Sequence, residues 1–311
     1  MRAALLETYG QTPSIVDLPE PEGDAPLGTV LAAGLNPVDR TISGGEFYAI
    51  RPKPPYTPGM EGVARTPDGK LVYFGRPGDL KHGSMAEQVL LDPEQCFELP
   101  DGTDPGQAIA CGIAGLAAWM AVKVRGQLQP GERVAVTGAT GVAGRIAIQV
   151  AKLLGAEHVV AIGRNEEELA KLDGLADDIV AFNGPMYLHE VELKRLGGHD
   201  LTIDFTWGPL AMAAMNGQRK HGRLVQVGSA AQPGLGITAP DLRGNEWSIL
   251  GFSIFNASLD DRRREYLELL GHVRDGRIDV PVHEIGLDDV PAAWDAQGAG
   301  SPHAKTVIRI G

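Results

Sequence analysis

Two patterns of apolar positions follow one another along this chain. Up to about residue 110, short apolar segments at 29–33, 62–64, 71–74 and 87–91 alternate with turns carrying Pro and Gly, behind an N-terminal strand marked by Ala3 and Leu5. Short runs bounded by such breakers predict β-structure. Residues 105–122 are rich in Ala and predict a helix ending near Trp119 and Met120. From about 130 the pattern changes. Strands are predicted at 133–137, 158–162, 178–182, 201–205 and 222–228, with helices at 142–154, 166–173 and 209–219 among them. That alternation marks parallel βαβ units. A strand over 247–252, a helix over 259–274 and a final strand over 305–310 complete the chain, without internal repeats. The expected division is a β-rich domain of residues 1–115 and 254–311, interrupted by a parallel-sheet domain of residues 116–253.

Composition narrows the partners more than the fold. The 311 residues carry a formal net charge of −12, which repels nucleic-acid phosphates and anionic lipid. The basic run Arg262-Arg263-Arg264 follows Asp260 and Asp261 on an amphipathic helix pattern and reads as a solvated face. Neither a signal peptide nor a spanning helix is expected, and two cysteines in no ligand spacing point away from a disulfide framework. A cytoplasmic protein is the expectation.

The chemistry concentrates in 131–150, GERVAVTGATGVAGRIAIQV. An apolar β-branched run enters a turn holding Gly138, Gly141 and Gly144, and an apolar-periodic helix begins at Val142. Glycines let a backbone approach a pyrophosphate without Cβ clashes, and a helix N-terminus offers free N–H groups and partial positive charge. The spacing is G-x-x-G-x-x-G, so the alternative is a tight strand-to-helix turn without a ligand. The second strand ends in Gly163-Arg164-Asn165 in place of the carboxylate that binds ribose hydroxyls in NAD sites. Gly163 leaves room for a 2′-phosphate and Arg164 can bind it, which predicts NADPH. Asn165 reads as a helix cap with Glu168 completing the box. The acidic Glu166–Glu168 would offset Arg164 if it faced the phosphate.

The letters TGATGVAG are similar to the motif of extended short-chain dehydrogenases, which carry it near the N-terminus and need Tyr-x-x-x-Lys. Here it starts at Thr137, and none of the six tyrosines has Lys four residues later. Across essentially the whole chain, GLNPVDRTISGGEF (34–47), PGMEGVA (58–64), GLAAW (115–119), the glycine turn, DFTWG (204–208), GRLVQVGS (222–229) and the final strand together resemble the medium-chain dehydrogenase/reductase superfamily. The match is to its zinc-independent quinone oxidoreductase and enoyl reductase branch. That resemblance implies an α/β protein: a GroES-like β-barrel domain plus a Rossmann domain with a doubly wound parallel sheet, usually as a homodimer. It implies reduction of a quinone or an α,β-unsaturated carbonyl by NADPH. A dedicated enoyl or keto reductase of a biosynthetic pathway, or a non-catalytic NADPH-binding protein, are the alternatives.

Zinc-dependent members hold catalytic zinc with a Cys where this chain has Asn36 and a His where it has Met60. Neither replacement is a good ligand, so no metal is expected. The resemblance makes Asn36 a residue near the nicotinamide. Asp39 is a catalytic candidate, with a helix cap or turn anchor as its plainer role. Tyr48, beside Phe47 in the family's Tyr position, could donate a proton if the loop shifts by one residue. Thr137, Gly138, Thr140, Gly141 and Val142 are placed at the pyrophosphate, and Gly163 and Arg164 at the 2′-phosphate. Gly228 and Ser229 are placed at the nicotinamide half, with Phe252 and Lys305 as cofactor candidates by position alone. Departures from the family are Ala117, Phe182 and Glu167, which stand where Thr, Tyr and Lys are common.

Overall fold

The computed structural model describes every residue except 232–233, 301–302 and 311. Among the described residues, fifteen strands run in chain order: β1 (Arg2–Leu5), β2 (Ser14–Asp17), β3 (Leu27–Gly34), β4 (Gly62–Arg65), β5 (Leu71–Phe74), β6 (Gln88–Leu90), β7 (Cys96–Glu98), β8 (Arg133–Thr137), β9 (His158–Gly163), β10 (Asp178–Ala181), β11 (His199–Asp204), β12 (Gln218–Gln226), β13 (Ser248–Gly251), β14 (Val282–Gly286) and β15 (Lys305–Arg309). The chain divides into two compact units. The first holds Met1–Ala114, Leu259–Arg274 and the chain from Val280 onward; the second holds Gly115–Ser258 and Asp275–Asp279. Against the expected 116–253, the second unit therefore takes in residues 254–258 and the short return at 275–279. There, Asp279 N donates to Gln149 Oε1 at 2.7 Å and Gln149 Nε2 donates back to the Asp279 carbonyl at 2.8 Å.

In the first unit a mixed sheet runs β14-β15-β3-β4-β5-β7, with β6 also on β3 and a separate β1-β2 pair. Only β14 and β15 are parallel; the other pairs are antiparallel. This is the GroES-like unit. Its core joins Ala4, Ala33, Leu35 and Met85 to Leu287, Val290, Trp294 and Ile308, which is why the C-terminal segment returns to it. The arginine run lies in this unit: Arg262 reaches Gln95 Oε1, Arg263 lies over the Phe97 ring, and Arg264 pairs with Asp261.

The second unit is a six-stranded parallel sheet in the order β10-β9-β8-β11-β12-β13. That is the 3-2-1-4-5-6 order of a doubly wound Rossmann sheet, whose topological switch point falls between β8 and β11. Continuous buried apolar runs such as Val134–Val136 and Val159–Ile162 reflect strands covered on both faces.

The segment Pro105–Arg125 is long and apolar enough to cross a membrane by length and composition, but 67% of its most apolar window is buried inside the protein. It is two helical stretches that meet at a kink at Gly112, whose ψ of −132° is not helical, with π-type turns at 111–115 and 121–125.

Candidate functional site

In the second unit, β8 ends at Thr137 and the chain turns through Gly138 at φ +65°, a left-handed conformation that favours glycine. Gly141 is the N-cap of the helix Val142–Leu153, and Thr140 precedes it. A Cβ on Gly144 would run into the Gly138 carbonyl and lie 2.7 Å from the Ala139 Cα, so the third glycine lets helix and turn touch. Among the described residues, no side chain caps this helix and no acidic residue lies in its first turn. Its leading N–H groups and partial positive charge therefore suit an anion.

Thr137 is fully buried. Its hydroxyl donates to Asp204 Oδ1, at the end of β11. Asp204 is fully buried and also accepts from Thr206 N at 3.1 Å, Thr206 Oγ1 at 3.0 Å and Trp207 N at 3.1 Å. Burial raises its pKa, against these hydrogen bonds. The pair ties the two strands that flank the switch point. Gly228 follows β12, and a Cβ there would sit 2.6 Å from the Phe205 carbonyl oxygen, so this strand end also needs glycine. Ser229 beside it is exposed. Phe252 is half-buried just after β13, its N–H donating to the Gln226 carbonyl at 2.9 Å.

Gly163 ends β9 with Leu169 Cδ2 3.1 Å from where its Cβ would be, and Arg164 is exposed next to it. Asn165 Oδ1 accepts from Glu168 N at 3.2 Å as the cap of the helix Glu166–Ala170. Two of the three acidic residues are engaged elsewhere: Glu166 accepts from Asn183 Nδ2, and Glu168 pairs with Lys171 at 2.6 Å. Phe182 stacks on His189 with ring centroids 4.4 Å apart.

In the first unit, Asn36 precedes the helix Pro37–Ser43 and is 2% exposed. Asp39, also 2% exposed, is spent as a structural anchor. Its Oδ2 accepts from Asn36 N at 2.8 Å and its Oδ1 from Met60 N at 3.0 Å. Of its two expected roles, this geometry is that of the cap. Burial is the main reason its carboxyl is pushed up to about 7. Tyr48 is 78% exposed with its ring against Phe47, centroids 4.9 Å apart, and lies outside the buried cluster that holds Asn36.

That cluster centres on Glu61, which sequence reasoning passed over. Glu61 is fully buried. Its Oε1 accepts from Asn36 Nδ2 at 2.8 Å and Lys305 Nζ at 2.6 Å; its Oε2 accepts from the Tyr73 hydroxyl at 2.9 Å and Ile113 N at 2.6 Å. Lys305, 2% exposed, also donates to Asn36 Oδ1 at 2.5 Å. Glycines make the space, since a Cβ on Gly34 or Gly112 would run into the Glu61 carboxylate. Tyr73 stacks on Tyr266 at 4.4 Å, and burial raises both phenols far above their usual range. Thus Lys305, expected at the cofactor, has its ammonium tied to Glu61 and Asn36. The missed signal was charge: a buried Glu beside a strand requires a buried cation, and Lys305 opens the largely buried strand β15. Among the described residues, no group of three or more His, Cys, Asp or Glu side chains is gathered as a metal site.

Residues 142–272 match the family model described as zinc-binding dehydrogenase. The chain is 30% identical to the quinone oxidoreductase of Thermus thermophilus, solved also with NADPH, with a TM-score of 0.82 and coverage of 99% of this chain and 100% of that one. It is 28% identical to the trans-enoyl reductase pgmF of Aspergillus terreus, over 94% of this chain and 90% of that protein. It is also 26% identical, over 93% of its length, to a segment of a phenolphthiocerol/phthiocerol polyketide synthase from Mycobacterium tuberculosis, but spans only 14% of that much longer protein. The chain belongs to the medium-chain dehydrogenase/reductase superfamily, in its quinone oxidoreductase-like branch.

Proposed function

We propose that this protein is an NADPH-dependent, zinc-independent reductase acting on a quinone or an α,β-unsaturated carbonyl. One observation carries the reading: a helix with an uncapped, acid-free N-terminus opens through a glycine turn directly from β8, beside the switch point of a Rossmann sheet. A dinucleotide pyrophosphate fits that cradle, held by the backbone at Thr140, Gly141 and Val142. Arg164, exposed beside Gly163, would pair with the 2′-phosphate, and the engagement of Glu166 and Glu168 elsewhere supports this. Gly228 and Ser229 lie after β12 on the side of the sheet where ligands of this fold bind. NADPH, when bound, supplies the hydride. Asn36 is read as the group that hydrogen-bonds the substrate oxygen as negative charge develops there. The donor set supports zinc independence: the Asn36 amide is already held by Glu61 and Lys305, and Met60 is a buried thioether. Family resemblance alone supports a homodimer.

NADPH oxidation with a panel of quinones and enones tests the reading. Turnover should survive chelation and gain nothing from added zinc. Arg164→Ala should weaken NADPH by roughly tenfold or more, the value of a charge-assisted phosphate contact, and leave NADH nearly unchanged. Equal losses for both nucleotides would remove Arg164 from the 2′-phosphate. Tight NADPH binding with no turnover on any acceptor would favour a non-catalytic NADPH-binding role. A second reading, a reductase serving a biosynthetic assembly, draws on the likeness to the trans-enoyl reductase and to the polyketide synthase segment. Turnover of enoyl thioesters in preference to quinones would select it.

A further inference from the structure

We propose that Glu61 is a positioning residue: with Lys305 it fixes the Asn36 amide so that the group left over is a hydrogen-bond donor. The proposal rests on the reading of Asn36 as the residue facing the substrate oxygen. An amide's O and N ends are ordinarily interchangeable in shape, so a neighbour must decide between them. Here both neighbours are one-sided. A lysine ammonium has only donors, and a carboxylate has only acceptors. Lys305 Nζ lies 2.5 Å from one end of the amide, which must therefore be Oδ1. Glu61 Oε1 lies 2.8 Å from the other end, which must be Nδ2. The carbonyl oxygen is thereby fixed on the Lys305 side. Nδ2 carries two hydrogens, of which Glu61 takes one.

The remaining N–H suits an oxygen gaining negative charge when an enone or quinone accepts hydride. A flipped amide would present a lone pair and repel it. Glu61 is itself held against rotation by the Tyr73 hydroxyl and by Ile113 N, a donor fixed in the backbone.

Glu61→Gln tests the idea with little change of shape. Glutamine offers one acceptor atom where two are in use. If the Ile113 N–H claims it, the new NH2 faces Asn36 Nδ2 donor to donor, so the amide loses its hold on the Glu61 side and is pushed out of its native position, with Lys305 left to hold Oδ1 alone. The readout independent of turnover is 4-nitrophenol bound to the protein–NADP⁺ complex, held at a pH where free nitrophenol is mostly neutral. The native protein should bind the yellow phenolate, and Glu61→Gln should lose that colour. The sign is diagnostic, because removing a negative charge would by Coulomb's law alone strengthen phenolate binding. Turnover should fall roughly 10²-fold in kcat, the usual cost of an oxyanion donor, with NADPH affinity and KM within about threefold. Glu61→Gln/Lys305→Met, which removes both charges of the buried pair together, guards against a folding defect and should also lack the phenolate signal.

A native protein that does not ionise the phenol overturns the proposal. So does a Glu61→Gln variant that ionises it as well as the native protein, or a double variant with native kcat. Native protein that oxidises no NADPH with any acceptor would instead remove the reductase reading.

Discussion

Asp39 shows what burial does to a single carboxyl. Removal from water raises its pKa, the nearby Glu61 charge adds to this, and the N–H groups of Asn36 and Met60 together with Lys305 oppose it, leaving it at about 7. Folded Asp39 therefore holds its proton more tightly than the unfolded chain, whose value is the ordinary 3.8. Its contribution to stability is full below about pH 4, declines as pH rises toward 7 and is gone above that, on the order of 4 kcal/mol in all. Asp39→Asn cannot ionise, so urea unfolding between pH 4 and 7 should show a flatter pH dependence than the native protein, at the cost of one capping bond. An unchanged slope would place the titration elsewhere. The position of Asp39, three residues after Asn36, made a capping role legible in sequence. Its contact with Met60 was not, because that depends on a strand register. Glu61 was hidden for a related reason: all four of its donors come from distant parts of the chain or from the backbone.

At the scale of elements, Gly144 and Gly271 pose the same substitution with opposite outcomes. Alanine normally gains about 1 kcal/mol over glycine inside a helix. Gly271, in the helix Leu259–Arg274, has no described atom within 4 Å of a new Cβ, so Gly271→Ala should gain up to about that much. At Gly144 the Cβ meets backbone, which cannot swing aside. Gly144→Ala should cost roughly 1–3 kcal/mol and weaken NADPH, read by denaturant titration and by cofactor fluorescence. The βαβ core was readable because each strand is a continuous apolar run followed by a periodic helix. Four helices left no such mark: Pro37–Ser43, Met186–Arg195, Ala239–Asn245 and Val290–Ala299. Pro37–Ser43 and Ala239–Asn245 have only seven residues each, and of the two ten-residue helices Met186–Arg195 leaves Tyr187, Leu188 and Val191 exposed, which blurs its stripe. The strands β2, β7 and β14 were also missed, each three to five residues long and lacking a consistent buried face.

At the scale of the whole molecule, the cradle that reads as the nucleotide site lies in one unit and the Asn36–Glu61–Lys305 cluster in the other. Binding to one unit should stabilise that unit by mass action. NADPH at a hundredfold excess over its Kd should add about 2.7 kcal/mol to whichever transition reports the parallel sheet. Calorimetry would show whether one transition or two respond. The change in the apolar pattern near residue 130 is the sequence feature that suggests a division into two units, and the return of the tail to the first unit rests on contacts such as those of Trp294 and Ile308 with Ala4 and Ala33.

Lys305 meets Glu61 across 244 residues of chain. A ribosome at roughly 5–20 residues per second takes on the order of ten to fifty seconds to cover that distance. Throughout that interval the nascent chain contains a carboxylate destined for the interior without its cation. The first 114 residues are made early but lack both the cation for Glu61 and the strands β14 and β15 that extend their sheet. The six strands of the parallel-sheet unit all precede Ser258, so that sheet can form while they wait. A chain cut short anywhere before β15 should therefore be digested more readily in its N-terminal part than the full chain, as limited proteolysis would show. The ion pair at the centre of this unit thus also certifies that translation has passed the strand that carries its cation.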